Sequence, residues 1–170
     1  MADEVGFETF VRTHSVGLLR SAVLLTGNRD RGEELLQDTL THLYPRWDKV
    51  ASAEFPVAYV RRALVNRSVS AGRSSRRHIV MVWDFPDQVG SSDLGEDVAT
   101  RRQLWQLIGK LSERQRAAVV LRYFHDQTDL EIAEALGCRP VTVRSLLSRA
   151  VAAMRSDLQA GAIIDKAGSW

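Results

Sequence analysis

Thr142, Arg144, Ser145, Ser148 and Arg149 recur at spacings that put them on one side of a helix, and they are groups suited to reading base edges. An arginine can donate two parallel hydrogen bonds to O6 and N7 of a guanine, while hydroxyls bond bases or phosphates. A helix that offers such groups in its first turns fits the major groove of duplex DNA. The run Asp129-LEIAEALGCRPVTVRSLLSRA meets the internal demands of a helix-turn-helix around them. Ala133 is small where two helices would cross closely, and Gly137 permits the positive φ that the turn needs. Leu136 and Cys138 flank the turn as apolar plugs. Val143 and Leu146 are spaced to turn the second helix back onto the first, and Pro140 suits that helix's first position. The plainer reading is a helical hairpin with a solvated basic face, but so many positional demands met together favour DNA.

Other chemistry finds little footing. The single cysteine, Cys138, excludes an internal disulfide and reads as a plug rather than a redox sensor. Four histidines, His14, His42, His78 and His125, lack metal-ligand spacing, and no cofactor is expected. No Gly-rich phosphate loop or nucleophile–base pair stands out, so an enzyme is not expected. No apolar run reaches membrane-spanning length and the N-terminus carries acids, so the expectation is a cytoplasmic protein without membrane insertion.

Net charge over the 170 residues is only +2, but its distribution is uneven. Val57 to Trp83 holds six arginines (Arg61, Arg62, Arg67, Arg73, Arg76, Arg77) and no acid. Asp84 to Asp97 holds five acids and no base, and Arg139 to Arg155 four arginines and no acid. Two basic blocks around an acidic one imply two polyanion-facing surfaces joined by a spacer.

The elements that must position these groups read as helices throughout, because no stretch alternates with period two. Apolar residues Phe7, Phe10, Val11, Leu18, Ala22 and Leu25 define a first helix from about Asp3 to Thr26, closed by Gly27-Asn28. A second runs from about Asp30 to Trp47 through Leu35, Leu36, Leu40 and Leu43, and Pro45 should kink or end it. Pro56 opens a third, reaching about Ser70. Ser70 to Thr100 looks like a linker, with an apolar island from Ile79 to Trp83. A second lobe begins at Arg101 with Leu104, Trp105, Leu107 and Ile108. Ser112 with Gln115, and Thr128 with Glu131, match capping boxes that open the next helices, the first of them running through Ala118, Val119, Leu121 and Phe124. The fold class is all-α, two small helical domains with a flexible acidic linker and a C-terminal helix-turn-helix.

With these pieces assembled, the chain from Phe7 to Leu158 resembles the extracytoplasmic function (ECF) group of the sigma-70 family of RNA polymerase sigma factors, most of all its SigE-like actinobacterial subfamily. Leu18-LRSAVLLTGN, Glu33-ELLQDTLTHLYPRW, Ala58-YVRRALVNR and Leu111-SERQRAAVVLRYF carry the likeness. It implies that residues 1–77 are sigma region 2, 78–100 a linker, 101–158 region 4 and 159–170 a tail. Leu36, Gln37 and Asp38 occupy the family's contact positions for the coiled coil of the polymerase β′ subunit, and region 4 implies the β flap as a further partner. Arg61, Arg62, Asn66, Arg67, Arg73, Arg76 and Arg77 would follow the melted −10 element, with Asn66 near the flipped-out base. Thr142, Arg144, Ser145, Ser148 and Arg149 would read the −35 element. An alternative sigma factor is expected, binding core RNA polymerase and promoter DNA to start transcription. Family members are often held by an anti-sigma factor, and nothing in the sequence marks its site.

The sequence departs from the family at several points. Arg139-Pro140-Val141-Thr142-Val143 replaces the usual S-x-G-T-V, so a hydroxyl cap worth about 1 kcal/mol is lost, in part offset by Pro140. Ser74 and Ser75 interrupt the arginine cluster, and Pro45 is unusual in a docking helix. Two other functions compete: a stand-alone helix-turn-helix repressor or activator, and a protein that sequesters a polymerase or sigma factor. The basic block far from the helix-turn-helix is unexplained by the first, and neither basic face is explained by the second.

Overall fold

The structure, a computed structural model, describes residues 4–74 and 98–167. They form helices α1 (Glu4–Thr26), α2 (Arg29–Leu43), α3 (Trp47–Ala51), α4 (Pro56–Ser74), α5 (Val98–Lys110), α6 (Glu113–Phe124), α7 (Asp129–Leu136) and α8 (Pro140–Ala167). No strand occurs among the described residues. The chain divides into two compact units, Met1–Gly90 and Ser91–Trp170. The apolar island and most of the acidic linker lie outside the described residues.

In the first unit, Gly27 ends α1 with φ of 73°, a conformation that costs glycine nothing. Asn28 has a different task from the one its type suggested. Its backbone is extended and its side-chain oxygen accepts from the Arg31 N–H at 3.0 Å, so it caps α2 rather than closing α1. Pro45 ends α2 as expected: Tyr44–Arg46 tighten into a 3-10 turn before α3 restarts at Trp47. Pro56 is the first residue of α4.

The core of this unit joins Leu18, Ala22 and Leu25 of α1 to Leu36 and Leu43 of α2, with Trp47 and Val50 of α3 and Val60, Leu64, Val65 and Val69 of α4. Phe7, Phe10, Tyr44 and Trp47 pack at ring separations of 4.8–5.0 Å, mostly edge-on, which suits the ring quadrupoles. α2 passes so close to α1 that a Cβ at Gly32 would stand 2.7 Å from Val23 Cγ2 and 2.9 Å from its backbone nitrogen. Only glycine fits there.

In the second unit both capping boxes form. Ser112 and Gln115 satisfy each other's backbone N–H at the start of α6, and Thr128 and Glu131 do so at α7. Trp105, Leu107 and Ile108 of α5 are buried, but Leu104 and Phe124 are each 40% exposed and leave the expected core. Phe124 instead stacks on Trp105 at 5.6 Å. Leu111, Val119 and Ala150 form a core cluster on which Leu147 and Met154 pack. α8 runs unbroken past residue 159, where the sequence reading began a tail, to Ala167. No helix among the described residues is long and apolar enough to cross a membrane.

Candidate nucleic-acid and polymerase interfaces

The turn between α7 and α8 is built as the sequence demanded. Gly137 takes φ of 60° and ψ of 46°, and the Cys138 N–H donates to the Ala133 carbonyl at 2.9 Å, a Schellman closure. Ala133 and Leu136 are buried, and Cys138 is half-buried. Arg114 of α6 donates to the Leu136 carbonyl at 3.0 Å and fastens the end of α7. Val143, with none of its surface exposed, and Ala150 set the inner face of α8. Leu146 is only half-buried, and Leu147 is the residue that reaches the core cluster.

At about 100° per residue, Ser145, Ser148 and Arg149 fall on the side of α8 opposite Val143, Leu147 and Ala150, with Thr142 and Arg144 on its two flanks. Arg144, Ser148 and Arg149 are exposed, while Thr142 and Ser145 are half-buried. The structure therefore exposes Arg144, Ser148 and Arg149 along the outer part of α8, with Thr142 and Ser145 partly covered beside them. Without a hydroxyl cap at Arg139, the Arg139 carbonyl still accepts from the Thr142 and Val143 N–H groups at 2.8 and 3.3 Å, so α8 starts at Pro140. Arg144 is not alone on that face: its Nε lies 3.7 Å from Asp129 Oδ2, and the other oxygen of Asp129 pairs with Arg122.

The candidate −10 residues are arranged differently. Val60, Leu64, Val65 and Val69 bury one side of α4, and Arg61 lies in the middle of that side. Arg61 is half-buried, burial holds its guanidinium below the usual arginine range, and its buried Nε has no hydrogen-bond partner. Arg62 and Asn66, one turn apart, are exposed on the opposite side. Arg67 reaches toward α2, where its Nη2 stands 3.6 Å from Asp38 Oδ2. Arg73 lies in α4 past the last described side chain, and Arg76 and Arg77 lie outside the described residues. The expected basic track therefore comes down, in what is described, to Arg62 and Asn66 with Arg67 at its edge.

On α2, Leu36 is 8% exposed and belongs to the core, whereas Gln37 and Asp38 are exposed. Gln37 also borders an open groove of about 410 Å³ lined by Phe7, Val11, Leu40, Thr41 and Tyr44. The groove depends on how α1 lies against α2, so no local sequence signal pointed to it.

Sequence reasoning also missed Arg116. It is 3% exposed, and its guanidinium donates to the carbonyls of Ile108, Gly109 and Leu111 at 3.3, 2.9 and 3.0 Å. It satisfies the end of α5 from inside α6. Burial pulls its affinity for protons down, partly offset by Glu113. The nearest signal was a charged residue amid the apolar run of a helix, which sequence alone could not tell from a solvated one.

A helix-turn-helix with arginines and hydroxyls on the free side of its second helix, joined to a second helical unit, defines a DNA-binding transcription factor. Residues 101–154 match the family model described as Sigma-70, region 4. The RNA polymerase sigma-E factor of Streptomyces avermitilis is 36% identical over 153 residues, covering 90% of this chain and 85% of that one. Its counterpart in Streptomyces coelicolor is 34% identical over 160 residues, covering 94% and 90%. The fold is similar to that of the sigma factor RpoE from Bartonella quintana, solved in complex with the anti-sigma factor NepR (TM-score 0.64, 24% identity, 91% of this chain and 97% of that one). The chain belongs to the sigma-70 family of RNA polymerase sigma factors, as a SigE-like member of its ECF group. It is an alternative sigma factor that directs promoter-specific transcription.

Proposed function

We propose that the protein divides promoter recognition between its two units, with residues 1–77 acting as region 2, 78–100 as linker, 101–158 as region 4 and 159–170 as a tail. Region 4 reads the −35 element through Thr142, Arg144, Ser145, Ser148 and Arg149. Region 2 docks on the β′ coiled coil of core polymerase with Gln37 and Asp38 at its surface, and Leu36 supports them from below. Arg62, Asn66 and Arg67 then hold the melted −10 strand, continued by Arg73, Arg76 and Arg77, while Arg61 serves mainly to pack α4. Polymerisation chemistry belongs to the core enzyme and the protein is not itself an enzyme. It acts in the cytoplasm, where it meets polymerase, the promoter and an anti-sigma factor.

The observation that carries this reading is the exposed outer part of α8 that bears Arg144, Ser148 and Arg149, clear of the core cluster, with Thr142 and Ser145 beside them. Protein combined with core polymerase should start transcription from a promoter with both elements, and neither component should do so alone. A protein that ignores core polymerase yet binds palindromic duplexes tightly would be a free-standing repressor. Within the holoenzyme, Arg144→Ala or Arg149→Ala should each weaken −35 recognition by about 1–3 kcal/mol, as expected for loss of a bidentate base contact. Wild-type site preference in both variants would rule out this face of α8.

A further inference from the structure

Asp129 is the first residue of α7, and its carboxylate stands between arginines from two other helices. Oδ1 pairs with Arg122 Nη2 of α6, and both side chains are only 30% exposed. Oδ2 faces Arg144 Nε of α8 at 3.7 Å, an ion pair rather than a hydrogen bond. Negative charge is favoured at a helix start, where N–H groups are unpaired, so α7 and Arg122 together hold the carboxylate in place. Arg144, by contrast, is 70% exposed and carries several rotatable bonds. A guanidinium drawn toward a fixed carboxylate by its Nε, the nitrogen nearest the side-chain stem, can still turn its terminal nitrogens to a base. It also has less side-chain freedom left to lose on binding.

The geometry points to Asp129 as a positioning residue for base readout: anchored by Arg122, it aims Arg144 at its base pair and dampens that arginine's indiscriminate attraction to phosphate. The inference rests on the proposed −35 role of Arg144. It separates two properties that arginine usually brings together. Phosphate attraction is sequence-independent and rises with net positive charge, whereas base discrimination depends on aim. Asp129 lowers the first and raises the second.

The test uses the full chain assembled on Streptomyces core RNA polymerase. Duplexes selected by the wild-type holoenzyme from a library randomised at the −35 region supply the probe, and each base pair is then changed in turn. Asp129→Asn should reduce preference at the base pair that Arg144→Ala affects by about fivefold, the low end of a bidentate contact. The same variant should bind a duplex of unrelated sequence more tightly at low salt. Asp129→Glu should restore much of the preference, and adding Asp129→Asn to Arg144→Ala should cost no further preference.

The inference falls if Asp129→Asn keeps wild-type preference, or if it weakens selected and unrelated duplexes alike, as a damaged scaffold would. If Arg144→Ala itself leaves preference unchanged, the −35 reading fails and the inference fails with it. Should Asp129→Asn lose its helical circular dichroism, Arg122→Gln carries the same test. It releases the carboxylate without altering the start of α7, so it should lower preference at the Arg144 base pair by a smaller factor. The lost positive charge should weaken binding to the unrelated duplex. Unchanged preference in this variant overturns the inference as well.

Discussion

α4 and α8 carry arginines at nearly the same spacing, in Arg61-Arg62 with Asn66-Arg67 and in Arg144-Ser145 with Ser148-Arg149, yet they use them in different ways. α8 packs against α5, α6 and α7, and Arg144, Ser148 and Arg149 remain exposed outside that contact. α4 packs against α1, α2 and α3, so its buried arc is broad enough to take in Arg61, and Arg67 is drawn to Asp38 on α2. A basic cluster read from sequence is therefore only an upper bound on the charge a helix offers to DNA. Both helices have three neighbours, and where each arginine falls relative to the buried arc decides how much of that charge faces outward.

The largest effect expected in testing this contrast concerns an arginine that offers nothing to DNA. Arg116→Ala should destabilise the second unit by about 3 kcal/mol, because three carbonyls lose a buried charged donor. Arg116→Lys should recover little, since one ammonium cannot reproduce the planar fork. Chemical denaturation measures both, and a loss within experimental error would mean that the buried guanidinium is dispensable.

Next in size is Gly32→Ala. Alanine gains about 1 kcal/mol of helix propensity at an ordinary helical site. Here the added Cβ meets backbone, so α1 and α2 must separate and a net loss of about 1–3 kcal/mol is expected. Unfolding followed by fluorescence, in a variant that keeps Trp47 as its only tryptophan, would register it. A stabilised variant would show that the approach of α1 to α2 is looser than described.

Smaller again is the division within α4. Asn66→Ala and Arg62→Ala should slow promoter opening while −35 duplex binding is preserved, each costing about 1 kcal/mol, the scale of a single stacked-base or backbone contact to one strand. Arg61→Met should leave opening near wild type, because its side chain faces the packed side of α4. A permanganate footprint of the open complex distinguishes them. Equal defects at positions 61, 62 and 66 would erase the contrast between α4 and α8.

The smallest expected effect is a pH dependence at the α7 cap. Hydrogen bonds from the Thr128 N–H and hydroxyl hold the exposed Glu131 carboxyl below its usual range. A carboxyl with a lowered folded pKa contributes stability above its unfolded pKa and loses it as pH falls through the folded value. The second unit should therefore lose a little stability on acidification below the ordinary carboxylate range, and Glu131→Gln should flatten that part of the profile. An identical profile in the variant would remove Glu131 from the acid response.

Much of this could be read along the chain because the physics is local. A capping box needs residues three apart, a positive-φ turn needs its glycine, and proline acts on the turn of backbone that contains it. Accordingly, Ser112 with Gln115, Thr128 with Glu131, Gly137, Pro45 and Pro56 do in the structure what their types and spacing required. The outward face of α8 follows from the same periodicity once Val143 is placed inward. Other features depend on residues far apart in the chain and on which helix lies alongside. The pairing of Arg67 with Asp38, the inward turn of Arg61, the fit of Gly32 against Val23 and the burial of Arg116 are of this kind, as is the reach of Asp129 between Arg122 and Arg144. Sequence determined the helices, most of their caps and the groups available to meet DNA. Tertiary packing decided which of those charges are spent inside the protein, because burial and ion pairing depend on neighbours that no local pattern specifies.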